Sequence, residues 1–251
     1  MQQYSPTGFK VLPPIVKNLL IINGLMFLAT FALGNSMGID LNDYLGLRYF
    51  ESTFFKPYQL ITYMFMHGNI NHIFFNMFAL WMFGSVIENY WGPKRFLIFY
   101  FVTGIGAGLM QMGVNYFEIS QLKASMSAEQ INLILNEGQS AILEHKNFID
   151  SSMAHLNSLM NSTTVGASGA VFGLLLAFGM LFPNSLIYMY FLFPIKAKWF
   201  VIGYGAIELY MGFNGSTDGI AHFAHLGGML FGLFLILYWK QKDKDKFLNQ
   251  F

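Results

Sequence analysis

Repeated apolar runs, each close to the length a helix needs to cross a bilayer, constrain this chain more than any other feature. A spanning helix takes about 20 mostly apolar residues. With no water in the hydrocarbon core, every backbone N–H and C=O has to be paired inside the segment. Ile15 to Leu33 supplies one run, Ile70 to Trp91 a second and Phe96 to Val114 a third. Val165 to Phe182 is a short fourth, Trp199 to Phe213 a shorter fifth, and Ile220 to Trp239 a sixth. The stretch Leu186 to Phe193 is also apolar, and Pro194, Lys196 and Lys198 interrupt it. An interfacial strand and the start of a longer, broken helix both fit it. Only 11% of residues are charged, against about 25% in a soluble domain. The expected fold is therefore an all-α membrane protein with six transmembrane helices.

Six spans put both ends of the chain on one side. That side would hold Lys10, Lys17, Lys94, Arg95, Lys196, Lys198, Lys240, Lys242, Lys244 and Lys246. The other side would hold Arg48, Lys56, Lys123 and Lys146. The positive-inside rule then predicts cytoplasmic termini, as in a multi-pass protein of a bacterial inner membrane. Residues 117–163 are polar, with Ile131, Leu135, Ile142 and Leu143 at partly helical spacing, and predict one or two amphipathic helices outside the membrane. The expected division is a cytoplasmic segment 1–13, a membrane domain 14–239 carrying the 117–163 insertion, and a charged cytoplasmic tail 240–251. The first run has no small-residue cleavage site at its end and reads as a signal anchor. A net charge of +1 gives no case for nucleic acid as a partner. The absence of cysteine excludes disulfides, thiol catalysis and Cys-ligated metal.

Polar residues inside apolar spans are costly and need partners. The second span begins with His67, Asn69, Asn71 and His72 and then carries Asn76. The fourth begins with Gly166-Ala167-Ser168-Gly169, and the sixth carries His222 and His225. Each group sits at the outer end of its helix, so three spans place polar side chains at similar depth. One shared cluster is the economical explanation.

Each segment also has a plain packing reading. Gly169 and Gly173 form a small-xxx-small pair, and a serine beside them can simply bond back to its own helix. On this segment alone, packing is the better reading of Ser168. His225 precedes Gly228 and Gly232, which can seat a close neighbour helix and bring an imidazole to the serine. A neutral histidine can accept a serine proton. His72 and Asn76, spaced i, i+4, share a face and can donate to a developing oxyanion beside the Ser168 N–H; an interhelical polar clamp is the alternative. His67 lies before the helix and braces the outer loop. There is no His-Glu-x-x-His signature, and no acidic residue adjoins either histidine pair in the chain, so neither metal nor another cofactor is expected. Glu208 lies in the fifth span, and nothing in the sequence puts it near His225.

Together these residues resemble the rhomboid protease family. His67, His72 and Asn76 fit its His, four residues, then His-x-x-x-Asn. Gly166-Ala167-Ser168-Gly169 fits Gly-x-Ser-Gly. Ala224-His225 with Gly228 and Gly232 fits Ala-His-x-x-Gly-x-x-x-Gly. The likeness covers all six spans, Pro14 to Trp239, without the 117–163 loop or the tail. It implies a six-helix rhomboid-like bundle with a long amphipathic-helical outer loop between helices 3 and 4. It also implies intramembrane serine endopeptidase activity by a dyad, with Ser168 as nucleophile and His225 as general base, leaving His222 extra. Single-span membrane proteins in the lipid bilayer are the implied substrates, cut near the outer boundary after a small residue. Glu88 is the implied structural tie of the first outer loop. Tyr58-Gln59 replaces the family's frequent Trp-Arg, and Phe172 replaces a tyrosine that stacks near the catalytic histidine. Asn214 to Gly219 is the expected cap. A catalytically silent binder on the same scaffold is the alternative.

Overall fold

Helix α1, Pro14–Met37, starts where Pro13 is extended and Pro14 occupies the first turn, and it stops at Gly38 with φ 66°. Pro is tolerated there because the first N–H groups of a helix have no intrahelical partner. The computed structural model describes residues 8–189, 193–214 and 220–248. Within them the chain is mainly helical. Short α2, Leu41–Leu45, is capped by Asp40, and short α3, Gln59–Thr62, runs into a 3-10 turn at Tyr63–Phe65. Next comes one long rod, α4 (Ile70–Ala79) and α5 (Ser85–Trp91), joined by a π turn at Leu80–Gly84. Gly92, at φ 80°, breaks the rod before α6, Pro93–Ser125. Helices α7 (Ala128–Leu143), α8 (Ser151–Asn161) and α9 (Ser168–Leu181) follow. Strands β1, Leu186–Met189, and β2, Phe193–Lys196, pair antiparallel with Leu186 opposite Lys196. Helices α10, Ala197–Phe213, and α11, His222–Leu248, complete the order.

Among the described residues, four helical stretches are long and apolar enough to cross a membrane: Pro14–Met37, Ile70–Trp91, Pro93–Ser125 and His222–Lys244. The expected fourth and fifth spans are shorter, 14 residues in α9 and 17 in α10. At 1.5 Å per residue α9 is about 21 Å long, less than the roughly 30 Å hydrocarbon core. The third span is longer than its apolar run and continues through Ser125. The sixth continues beyond Trp239 to Leu248, and Arg95 of α6 holds that extension through a two-pronged pair with Asp243 at 2.6 and 2.8 Å. Between the two structures that fit Leu186 to Phe193, the described residues, Leu186–Met189 and Phe193, are strand. The polar stretch 117–163 forms α7, α8 and the end of α6, with its own small core around Ile119, Ile134 and Leu156. The cap expected at Asn214 to Gly219 lies, past Asn214, outside the described residues.

The centre consists of α6, α9 and α11, packed at glycine distance. A Cβ on Gly228 of α11 would collide with the carbonyl oxygen of Gly169 on α9, and one on Gly169 would collide with Ala107 of α6. Only hydrogen fits at such backbone approaches, so these positions set the spacing of the three helices. Phe96, Phe99, Tyr100 and Leu174 fill the space around them. By contrast, α1 and α10 are peripheral: Val16, Leu19 and Asn23 are the buried residues of α1, and Ala197, Val201 and Glu208 those of α10. Their exposed Leu25, Leu28, Phe31, Trp199, Ile202, Tyr210 and Phe213 suit contact with lipid.

Three buried polar side chains hold the periphery. Both carboxylate oxygens of Glu88 accept from the first turn of α1, Oε1 from Ile15 N–H at 3.0 Å and Oε2 from Val16 N–H at 2.8 Å. The resemblance implied a tie to the first outer loop; Glu88 instead ties down the start of α1. That loop is fastened by Gln59. Its Nε2 donates to the carbonyls of Tyr44 (3.2 Å) and Phe54 (3.1 Å), and its Oε1 accepts from Arg48 and Lys56 N–H. Arg48, buried as well, donates to the carbonyls of Asp43 and Asn161 and so joins the loop to the end of α8.

Candidate active site

Ser168 is the first residue of α9, and its position follows from Gly166. That glycine has φ 130°, a conformation that disfavours any side chain, and its N–H donates to Tyr63 O at 2.9 Å. The bend lets the chain turn sharply into α9 with Ser168 at the helix mouth. The Ser168 N–H is one of the first four that a helix leaves unpaired, at the positive end of its dipole. A Cβ at Gly166 would lie 2.7 Å from Nε2 of His72 and 3.5 Å from the Ser168 hydroxyl. His72 and Ser168 therefore border the same small space.

His225 enters from the first turn of α11. Its Nε2 lies 2.9 Å from Ser168 Oγ, a hydrogen-bonding distance, and the residue is 8% exposed. The Gly228–Gly169 approach one turn further along makes this contact possible, because it brings the two helix backbones together. Phe172, one turn after Ser168, stacks on the imidazole with centroids 4.1 Å apart and planes 7° from parallel. The ring keeps the stacking geometry without a hydroxyl. Gly232 continues the same seam against Phe99 and Thr103.

The other expected residues are less tightly gathered. Asn76 is buried on the face of His72, but its Nδ2 donates to the His72 carbonyl at 3.0 Å, leaving one amide N–H for another acceptor. His67, in the loop before α4, packs edge-on against His72 with centroids 5.0 Å apart. Burial, then the neighbouring His72, pushes its imidazole down to about 3.

One residue lay outside the expected cluster. Glu208 of α10 is buried with Oε2 2.9 Å from Nδ1 of His225 and 2.7 Å from Nδ1 of His222. The contact to His222 is a directed hydrogen bond. The contact to His225 lies off the ring N–H axis and leaves that Nδ1 short of an aligned partner. So one carboxylate joins both histidines on the side of His225 away from Ser168, and the absence of an acid beside them in the chain does not hold in space. A signal was available: Glu208 is the one acid in α10, and an ionisable side chain in an apolar helix needs a partner. Glu208, His222 and His225 also present ligand-type atoms within 4.8 Å of one another. Among the described residues, a cavity of about 650 Å³ is bounded by α6, α8, α10 and α11, and its wall includes His222 but not Ser168 or His225.

Chemically, the arrangement has a hydroxyl facing an imidazole, a carboxylate behind that imidazole, and donors opposite it at the helix mouth. Comparison with known proteins places these residues in a wider setting. A family profile described as Rhomboid domain matches residues 55–120 and 139–242. The chain is 27% identical over 224 residues to Rhomboid-like protein 11, chloroplastic, of Arabidopsis thaliana, covering 85% of this chain and 64% of that protein. It is 28% identical over 198 residues to RHOMBOID-like protein 6, mitochondrial, of the same plant, covering 77% and 48%. It is 25% identical over 172 residues to Rhomboid protease AarA of Providencia stuartii, covering 67% and 51%. The chain thus spans between about half and two thirds of the length of these relatives. Organellar and bacterial proteins both appear among them, so an integral membrane protein is supported and a bacterial inner membrane is not singled out.

Proposed function

Since this chain belongs to the rhomboid family, we propose that it is an intramembrane serine endopeptidase in which Ser168 is the nucleophile and His225 the general base. The observation that carries this reading is the 2.9 Å contact between Ser168 Oγ and His225 Nε2, buried at a glycine-spaced helix seam. In the proposed reaction, His225 Nε2 takes the hydroxyl proton as Oγ attacks a peptide carbonyl. The oxyanion rests on the Ser168 N–H, the His72 ring N–H and the free amide N–H of Asn76. His225 then returns its proton to the leaving amine, and water, deprotonated by the same nitrogen, hydrolyses the acyl-enzyme. Glu208 acts behind the base: its carboxylate charge, 2.9 Å from Nδ1, favours the proton on that nitrogen, keeps it off Nε2 and offsets the charge of the imidazolium as it forms.

The same reading takes 14–239 as the membrane domain, with 1–13 and 240–251 flanking it. Six crossings are formed by α1, the α4–α5 rod, α6, α9, α10 and α11, and α7 and α8 lie outside. Short α9 is supported by its neighbours and ends inside the bilayer, so Ser168 sits below the membrane surface. The substrates are single-span membrane proteins whose helix unwinds near the outer boundary, because a helical carbonyl is already paired.

Cleavage of a model single-span substrate in proteoliposomes tests this. The wild-type chain cuts, and Ser168→Ala and His225→Ala reduce the rate to background. A fluorophosphonate probe labels the wild type and not Ser168→Ala. Full activity in Ser168→Ala would end the serine-protease reading, and absence of both cutting and labelling in the wild type would point to a silent binder.

A further inference from the structure

We propose that Glu208, His222 and His225 form a binding site for a divalent transition-metal ion, with zinc the best fit, whose occupation switches off His225 as a base. The inference rests on the protease reading for the effect of the metal, but the site itself stands on geometry alone. Two imidazole nitrogens and one carboxylate oxygen converge from α10 and α11, all within 4.8 Å. Two histidines and a glutamate are a donor set that zinc accepts in three-ligand sites, with water in the fourth position. The oxygen–nitrogen separations are now 2.7 and 2.9 Å. Zinc bonds of about 2.0–2.2 Å would require the ligands to spread by roughly 0.5 Å, a small side-chain adjustment. A buried carboxylate in a membrane protein is also a strong attractant for a cation.

A site of this kind needs an entry path, and the cavity of about 650 Å³ supplies one. It leads to His222 between α8 and the facing ends of α10 and α11. Its wall carries Glu118 and His155, an exposed acid and imidazole 3.8 Å apart. Ser168 and His225 are not in that wall, so a metal ion reaches the site from behind the base without crossing the serine side.

Proton placement gives the effect. A neutral imidazole carries one ring proton. In the active arrangement it sits on Nδ1 of His225, facing Glu208, and Nε2 accepts from Ser168. Zinc takes the Nδ1 lone pair of each histidine; the Nδ1–H contacts to Glu208 break, the His222 proton moves to its own Nε2, and the His225 proton moves to Nε2 of that ring. The ring stays neutral, and the bonds formed are those from the metal to the two nitrogens and the carboxylate. Nε2–H then donates to Ser168 Oγ across the same 2.9 Å and no longer accepts its proton. The serine keeps its neighbour and loses its base.

The test uses the full chain in detergent, with Co2+ as the spectroscopic probe and Zn2+ as competitor. Expected results are uptake of one Co2+ with visible bands of low coordination number in both the wild type and Ser168→Ala, and displacement by Zn2+. His222→Gln and Glu208→Gln, on different helices, each weaken uptake at least about tenfold, the low end of what even outer-shell losses cause. Zn2+ suppresses cleavage by the wild type and EDTA restores it, while in His222→Gln the ratio of rates with and without Zn2+ returns toward one. Absence of Co2+ uptake, uptake indifferent to both variants, or full cleavage at saturating Zn2+ would each overturn the proposal. Failure of uptake leaves the Ser168→Ala and His225→Ala comparisons untouched. Uptake that depends on His222, in a chain that cuts nothing, supports the metal site and removes the protease reading instead.

Discussion

At the scale of single residues, the molecule turns on what lies either side of one imidazole. Ser168 is 2.9 Å from one nitrogen of His225, and Glu208 is 2.9 Å from the other. A carboxylate that acts by fixing the tautomer should matter to the chemical step more than to binding. Glu208→Gln is therefore expected to lower kcat on the order of 10²- to 10⁴-fold while leaving KM nearly unchanged. Steady-state kinetics in detergent on a single-span substrate checks this, and an unchanged kcat would remove Glu208 from the mechanism. That Ser168 and His225 meet was legible in the chain, because the glycines beside each let their helices approach closely and the family resemblance picked His225 over His222. The place of Glu208 was not. It depends on the rotation of α10 about its axis, and α10 has too few buried residues for an apolar face to show that rotation. Glu88 was legible as structural but not in its target, since hydrogen bonds to backbone N–H groups leave no mark on the residues that supply them.

Among the elements, the α9–α11 seam is the sensitive one. A methyl at Gly228 meets the Gly169 carbonyl, whereas one at Gly203 of α10 meets nothing within 4 Å. Gly228→Ala is expected to destabilise the protein by about 1–3 kcal/mol through overpacking and to pull Ser168 from His225. Gly203→Ala should be neutral or slightly stabilising through helix propensity. Thermal unfolding in detergent together with fluorophosphonate labelling separates the two, and identical behaviour would show that the seam has slack. Apolar runs located the helices well but not their ends. The ends depend on caps and on packing beyond the membrane: α6 outruns its apolar stretch because Ile119 joins the core of α7 and α8. In α9 the apolar run from Val165 began before the helix, since Gly166 bends the chain there.

For the whole molecule, the proposed six crossings put the segments flanking 14–239 on one face of the membrane, opposite α7 and α8. The natural absence of cysteine makes this directly measurable. Lys10→Cys and Lys244→Cys are expected to react with a membrane-impermeant maleimide from the same side of sealed vesicles, and Asn147→Cys from the other. Labelling of Asn147→Cys from the same side as Lys10→Cys would overturn the six-crossing arrangement. A different kind of consequence follows from the Glu88 clasp on α1. Ile15 and Val16 leave the ribosome 73 and 72 residues ahead of the carboxylate that receives their N–H groups. At about 5–20 residues per second, that is a wait of roughly 4 to 15 s. During that interval the first helix can enter the bilayer but has no fixed seat, and synthesis of α5 is the event that gives it one. The earliest helix to be made is thus among the later ones to be locked, and its final position is a memory of the order in which the chain was delivered.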